Sequence, residues 1–181
     1  DVPAESSKLA ALCEMLTSLR TEGHRALVFS QFTSFLAYVR VELEAEGFHC
    51  RYLDGSTPQA QRRVEIDAFQ EGDGEVFLLS LHAGGRGINL TAADYVIHLD
   101  PWWNPAVEEQ ATDRAHRIGQ ERPVTVYRLV ARETVEEQIL ELHKDKRELV
   151  SALLEGTDAV AGLSTEDLFA LIRKGSALEG D

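Results

Sequence analysis

Leu9, Leu12, Leu16 and Leu19 stand three or four residues apart, which lines one face of a helix from about Ser7 to Arg20, with Gly23 just past its end. The apolar run Ala26-Leu27-Val28-Phe29 then reads as a strand that stops at Ser30-Gln31. Phe35, Leu36, Val39 and Leu43 mark a second amphipathic helix, closed by Gly47. Cys50 to Leu53 is a second strand, ending in Asp54-Gly55-Ser56-Thr57-Pro58. Thr57 is expected to cap the next helix with Pro58 at its first position, where a missing N–H costs nothing. Val64, Ala68 and Phe69 are expected to turn inward from that helix, with Arg62 and Arg63 near its start. Val76 to Leu79 is almost wholly apolar, as a parallel strand covered on both faces must be.

That third strand runs into the glycine-rich loop His82-Ala83-Gly84-Gly85-Arg86-Gly87, and Tyr95–Leu99 and Val124–Val130 form two further strands. Between them Asn104 caps and Pro105 opens a helix expected to end near Gly119. A long helix follows, with the capping box Thr134-x-x-Glu137 and an inward stripe of Val135, Ile139, Leu142, Leu149 and Leu153. A last short helix spans Thr165 to Lys174. Strands alternating with helices predict an α/β fold, a mostly parallel sheet flanked by helices, with a helical C-terminal extension. Ligands in such folds bind at the carboxyl ends of strands. Here those ends carry Ser30-Gln31, Asp54-Gly55-Ser56, Ser80 to Gly87 and Asp100 to Asn104, and the coincidence points to function.

Composition narrows the classes. A chain of 181 residues, 44% hydrophobic and 27% charged, suits one core-forming domain. No apolar run approaches the roughly 18 residues of a membrane span, and no secretory signal is recognisable. The chain opens at Asp1 without a methionine and is read as a piece of a longer protein. Cys13 and Cys50 lack metal-ligand spacing, and the six histidines form no zinc pattern, so the thiols are read as buried and reduced. The net charge of −13 is unevenly spread. Residues 151–181 hold six acids against Arg173 and Lys174, whereas residues 82–132 hold six acids and six arginines. A locally basic face on an acidic chain is therefore open.

Three segments carry candidate chemistry. In the predicted helix Glu108–Ile118, Gln110, Arg114 and Arg117 fall at i, i+4 and i+7 and share a face. Two guanidiniums so placed can clamp a triphosphate, or the helix can simply be laced by salt bridges through Glu109 and Asp113. Gly84, Gly85 and Gly87 permit close approach to phosphate or a tight turn, and match neither a dinucleotide fingerprint nor a P-loop. Trp102-Trp103 is expected to place one ring in the core and the other at a surface, as a stacking platform or as packing against the chain's own C-terminal helix.

In order, the chain reads Ala26-Leu-Val-Phe-Ser-Gln-Phe32, Leu53-Asp-Gly-Ser-Thr57 and Leu79-Ser-Leu-His-Ala-Gly-Gly-Arg-Gly-Ile-Asn-Leu90. Asp100-Pro-Trp-Trp-Asn-Pro105, Gln110-Ala-Thr-Asp-Arg-Ala-His-Arg-Ile-Gly-Gln120 and Val126-Tyr-Arg-Leu129 follow. This series resembles the second RecA-like lobe of the Swi/Snf family of helicase-like ATPases over roughly residues 7 to 154. The resemblance implies a RecA-like three-layer lobe over 23–154, after a linker helix in 1–22 and before an acidic helical tail in 155–181. It implies that Arg114 and Arg117 are arginine fingers reaching ATP and Mg2+ held mainly by a first lobe. Gln110, Gly87 and Asn89 would then lie near the nucleotide. It further implies that Ser30, Gln31, Gly55, Ser56, Ser80 and His82 meet DNA phosphates, with Trp103 on the DNA side. Hydroxyls and backbone N–H groups grip phosphate without reading bases.

Two positions depart from the pattern: His82 stands where lysine or arginine is common, and Arg86 where a small or apolar residue is usual. The chain has no Gly-Lys-Ser/Thr and no Asp-Glu-x-His. The resemblance therefore implies a motor lobe of an ATP-dependent duplex-DNA translocase that is inactive without its first lobe. Its partners would be duplex DNA, that lobe and a DNA-bound protein target, with no membrane. Its setting would be intracellular, the cytoplasm or nucleoid of a bacterium or the nucleus of a eukaryote. A catalytically silent docking module of the same fold is the first alternative, against which Arg114 and Arg117 speak. An RNA-directed helicase lobe is the second, disfavoured by the Ala-Gly-Gly loop and the Arg-Ile-Gly-Gln ending.

Overall fold

The computed structural model describes residues 4–81, 83, 88–115, 120 and 122–154, with side chains described between residues 7 and 144. Its helices are α1 (Ala4–Thr21), α2 (Thr33–Ala45), α3 (Gln59–Gln70), α4 (Pro105–Thr112) and α5 (Val135–Leu154). Its strands are β1 (Ala26–Ser30), β2 (Cys50–Leu53), β3 (Val76–Ser80), β4 (Tyr95–His98) and β5 (Thr125–Arg128). All pairings are parallel, in the order β2-β3-β1-β4-β5.

Alternation along each strand sends side chains to two separate cores. Ala26, Val28, Val76, Leu78 and Ile97 face one side, where Leu12, Leu16 and Leu19 of α1 and Leu36, Val39 and Leu43 of α2 cover them. Leu27, Phe29, Phe77, Leu79 and Val96 face the other, under Phe69 of α3 and Ala111 of α4. β1 and β3 are buried at every position, which is why both read as unbroken apolar runs. Each buried Leu or Phe contributes about 1.5–3 kcal/mol of hydrophobic stabilisation. Gly23 and Gly47 close α1 and α2 with positive φ of 76° and 79°. In both closures the next N–H reaches back five residues, His24 to Leu19 O and Phe48 to Leu43 O, each at 2.9 Å, so orphan carbonyls of the last turn are satisfied.

The chain leaves β1 toward the α2 face, and leaves β2 and β4 toward the α3 and α4 face. Order reversal around β1 opens crevices at its carboxyl end, the usual place for a ligand. Register sets Ser30 directly beside Ser80 there.

Several local expectations need correction. Thr57 does not cap α3: Pro58 occupies that position, its carbonyl accepting from Arg62 N at 2.9 Å, while the Thr57 hydroxyl bonds within the preceding turn. Val64 and Val135 do not turn inward but are 62% and 56% exposed, whereas Phe69 and Leu142 are buried. α4 stops at Thr112, short of Gly119. Its start is as expected, with the Asn104 side chain accepting from Ala106 N. The box before α5 forms in altered register: Thr134 Oγ1 accepts from Glu136 N at 3.2 Å, and Glu137 reaches back to Glu133 N at 2.9 Å. The side chains of Leu149 and Leu153, and the predicted helix over 165–174, lie outside the described residues. No helix among the described residues is long and apolar enough to cross a membrane.

Candidate functional site

At the carboxyl end of β1 the chain is held by Asp100, two residues beyond β4. Ser30 Oγ donates to its Oδ1 at 2.6 Å and Gln31 N to its Oδ2 at 2.8 Å, while Phe32 N donates to Ser30 Oγ at 3.0 Å. Burial pushes the Asp100 carboxyl above its ordinary range, and the Gln31 N–H and Ser30 hydroxyl pull the other way. Lys8 of α1, itself buried, donates to Leu99 O at 2.7 Å and pairs with Glu136 of α5 at 2.5 Å. One strand end thus anchors the β1 loop, α1 and α5 together.

The β2 loop is organised by Asp54. Its Oδ1 accepts from Ser56 Oγ at 2.6 Å, Ser56 N at 2.8 Å and Thr57 N at 3.1 Å, and Tyr52 donates to Oδ2 at 3.0 Å. The Ser56 hydroxyl leads the causes that hold this carboxyl below its usual range. Burial, then the bond to Asp54, pushes the Tyr52 phenol up to about 12. Gly55 and Ser56 are exposed at the tip. Arg62 spans two loops: Nε donates to Thr57 O at 2.8 Å, one terminal nitrogen to Asp54 O at 2.9 Å, and the other to Ala83 O beyond β3.

Beneath α4 lies a buried polar cluster. Glu108, fully buried, accepts from Trp102 N at 2.7 Å and from Arg128 Nε of β5 at 2.6 Å. His143 of α5 donates from Nε2 to Trp102 O. Trp102 and Trp103 are both half-buried. Trp102 packs on the α3–α4 core, and the two ring centroids stand 6.1 Å apart. His98 stacks on Phe29 at 5.5 Å and its Nε2 lies 3.2 Å from Thr112 Oγ1. Desolvation pushes its pKa down to about 4, Arg128 adding to the fall and Glu108 opposing it.

Beyond α4 the candidate arginine segment tightens into a turn over residues 113–115. Arg114 N bonds Ala111 O at 3.3 Å and Ala115 N bonds Thr112 O at 3.0 Å, three-residue closures that tighten the chain after α4. Asp113 N still closes on Glu109 O at 2.8 Å, and the third residue of the expected face, Arg117, lies outside the described residues. Gln110 is exposed, whereas Arg114 is buried with its guanidinium carbon 5.9 Å from the Phe29 ring centroid. Leu90 N donates to Arg114 O at 2.8 Å, which sets Asn89, exposed, in the strand-end loop beside that turn. Gln120 bonds both segments through its side-chain amide. Ser30 and Ser80 are buried side by side, and Gln31 is half-buried. Arg117, Gly87, His82 and Arg86 lie outside the described residues.

Sequence reasoning missed Asp100 and Glu108 as organisers. The available signal was a carboxylate in an apolar setting, which a fold buries only when hydrogen-bonded. Among the described residues no cluster of three or more His, Cys, Asp or Glu is placed to hold a metal ion. The exposed Gln110 and Asn89 beside the Arg114 turn suit one flank of a polyphosphate.

Residues 7–119 match the helicase conserved C-terminal domain. The chain belongs to that family, as a Swi/Snf-type lobe. It is 46% identical over 153 residues to the chromatin-remodeling ATPase INO80 of Homo sapiens, a match covering 84% of this chain and 10% of that protein. It is 40% identical over 164 residues to the putative ATP-dependent helicase/translocase YwqA of Bacillus subtilis, covering 90% of this chain and 18% of that one. The solved C-terminal part of the Fun30 ATPase domain superposes with a TM-score of 0.71 at 38% identity, over 74% of this chain and 44% of that chain. The five-stranded parallel sheet with helices on both faces is accordingly a RecA-like α/β fold. The lobe spans only a small part of the length of these curated relatives.

Proposed function

We propose that this lobe completes the ATPase site of a duplex-DNA translocase whose first RecA-like lobe holds ATP and Mg2+. The observation that carries the reading is the 2.8 Å bond from Leu90 N to Arg114 O, which joins the Asn89 loop to the arginine turn at the carboxyl edge of the sheet. Arg114 and Arg117 act as arginine fingers. Gln110, Gly87 and Asn89 contact the nucleotide. A guanidinium at the transferring phosphoryl group stabilises charge that develops only in the transition state. In the free lobe Arg114 rests against Phe29, so its function requires the guanidinium to turn outward as the two lobes close.

DNA phosphates run along the same edge. Ser30, Gln31, Gly55, Ser56, Ser80 and His82 meet them, and Trp103 borders the track. Asp54 holds Ser56 in place by accepting its hydroxyl, a bond that phosphate oxygen replaces on contact. Hydrolysis then drives opening and closing of the cleft and movement along duplex DNA, against a DNA-bound protein target, at an intracellular location.

The test uses the full-length protein with both lobes. Arg114→Ala and Arg117→Ala each lower DNA-stimulated turnover by roughly 10³-fold while nucleotide binding, read by a fluorescent ATP analogue, stays near wild type. Turnover that survives both substitutions refutes the finger assignment.

A further inference from the structure

Gln120 sits at the point where the arginine turn and the strand-end loop meet. Its Nε2 lies 3.1 Å from Thr91 O, 2.8 Å from Ala93 O and 3.2 Å from Ala115 O. Its Oε1 accepts from Arg122 N at 3.0 Å. Three carbonyls around one atom and an N–H facing the other leave no freedom in how the amide is oriented. Ala93 and Ala115 are fully buried, so their carbonyls have little recourse to water.

These bonds do more than close a local loop. Thr91 and Ala93 belong to the segment that follows Asn89, while Ala115 directly follows Arg114. The Leu90 N to Arg114 O bond ties the same two segments one residue earlier on each. The pair of ties holds the turn by its backbone, at the carbonyls of Arg114 and Ala115.

We infer that Gln120 is a positioning residue for Arg114: its amide clamps the arginine turn to the nucleotide-side loop. This rests on the reading that Arg114 is a finger. An arginine that must turn outward into a closing cleft is effective only if its Cα is fixed, since a displacement of about 1 Å can cost on the order of 10²-fold in rate. No other side chain type of this length brings two donors and one acceptor to these four atoms. Glutamate matches the shape but turns oxygen toward three carbonyls. Alanine removes the clamp without adding charge.

The experiment measures steady-state ATPase of the full-length protein at saturating duplex DNA, for Gln120→Glu, Gln120→Ala, Arg114→Ala and the double variants. Both single Gln120 variants are expected to lose on the order of 10²-fold in kcat with KM for ATP nearly unchanged. Combined with Arg114→Ala they are expected to cause no further loss, because residues acting as one unit are not additive. Circular dichroism and the melting transition report folding, and Gln120→Ala serves if the buried charge of Gln120→Glu prevents it. Wild-type kcat in a folded Gln120 variant beside an inactive Arg114→Ala overturns the clamp and leaves the finger reading standing. A Gln120 loss that recurs undiminished in the Arg114→Ala background also overturns it, since the amide then acts elsewhere. Wild-type turnover in Arg114→Ala itself removes the finger reading and this inference with it.

Discussion

A histidine in the middle of the run Tyr95-Val96-Ile97-His98-Leu99 reads only as a strand residue, but its surroundings make it a pH-dependent element of stability. Folded, His98 titrates at about 4, while unfolded it returns to an ordinary histidine near 6.5. Between those values the unfolded chain binds the proton and the folded one does not. Stability is therefore fully present above pH 6.5 and falls as pH drops toward 4, by on the order of 3 kcal/mol. Asp100 acts in the opposite sense, because burial raises its folded pKa and acidification through that raised value adds stability. Urea unfolding across pH 7 to 5 checks the assignment: His98→Asn is expected to flatten the slope, and an unchanged slope locates the proton uptake elsewhere. Arg114 shows the same limit of sequence reading. Its type was legible, but its burial against Phe29 is a property of the sheet beneath it.

At the scale of elements, α4 was legible at its start and not at its end. Asn104 and Pro105 are local signals, a side-chain acceptor and a residue that lacks the N–H it would waste. The stop at Thr112 has no such signal. It follows from tertiary bonds, with Leu90 N taking Arg114 O and Gln120 taking Ala115 O. Thr57 likewise had the side chain of a helix cap and was recruited by Asp54 instead, because a loop hydroxyl bonds whichever partner the fold supplies first. Glu108 is the pin of this element, holding the tryptophan loop and β5 at once. Glu108→Ala strips two bonds from a charged group and leaves Arg128 without its carboxylate. The expected cost is about 2 kcal/mol in the unfolding free energy of the lobe. Arg128→Gln, which keeps Glu108 bonded to Trp102 N, is expected to cost less, and equal losses in the two variants would show that the Trp102 bond contributes nothing.

For the whole molecule, the alternation of strands and helices predicted a parallel sheet, yet did not give the order β2-β3-β1-β4-β5. That order places the loops after β1, β2, β3 and β4 along one edge and leaves β2 and β5 as the rims. The proposed mechanism follows from what this edge offers: exposed amides and an arginine turn. With no Gly-Lys-Ser/Thr in the chain, the proposed mechanism assigns the phosphate grip to the first lobe. The 181-residue chain by itself is expected to hydrolyse ATP negligibly, with or without duplex DNA, while the protein carrying both lobes is stimulated by it. A phosphate-release assay on the isolated chain decides this, and DNA-dependent turnover there would mean that the lobe carries a complete site.

By itself the sequence determined which segments form strands and helices, the residue types at the strand ends, and the family to which their order belongs. These rest on periodicity and on motif spacing, both of which are properties of neighbours along the chain. Tertiary structure alone decided that Asp100 ties the β1 loop to β4, that Glu108 joins the tryptophan loop to β5, and that the arginine turn is bonded through Gln120 to the loop after Asn89. Each is a polar group whose partner lies far along the chain or across a turn. Burial obliges such groups to find partners, but only the packed sheet fixes which ones come within reach.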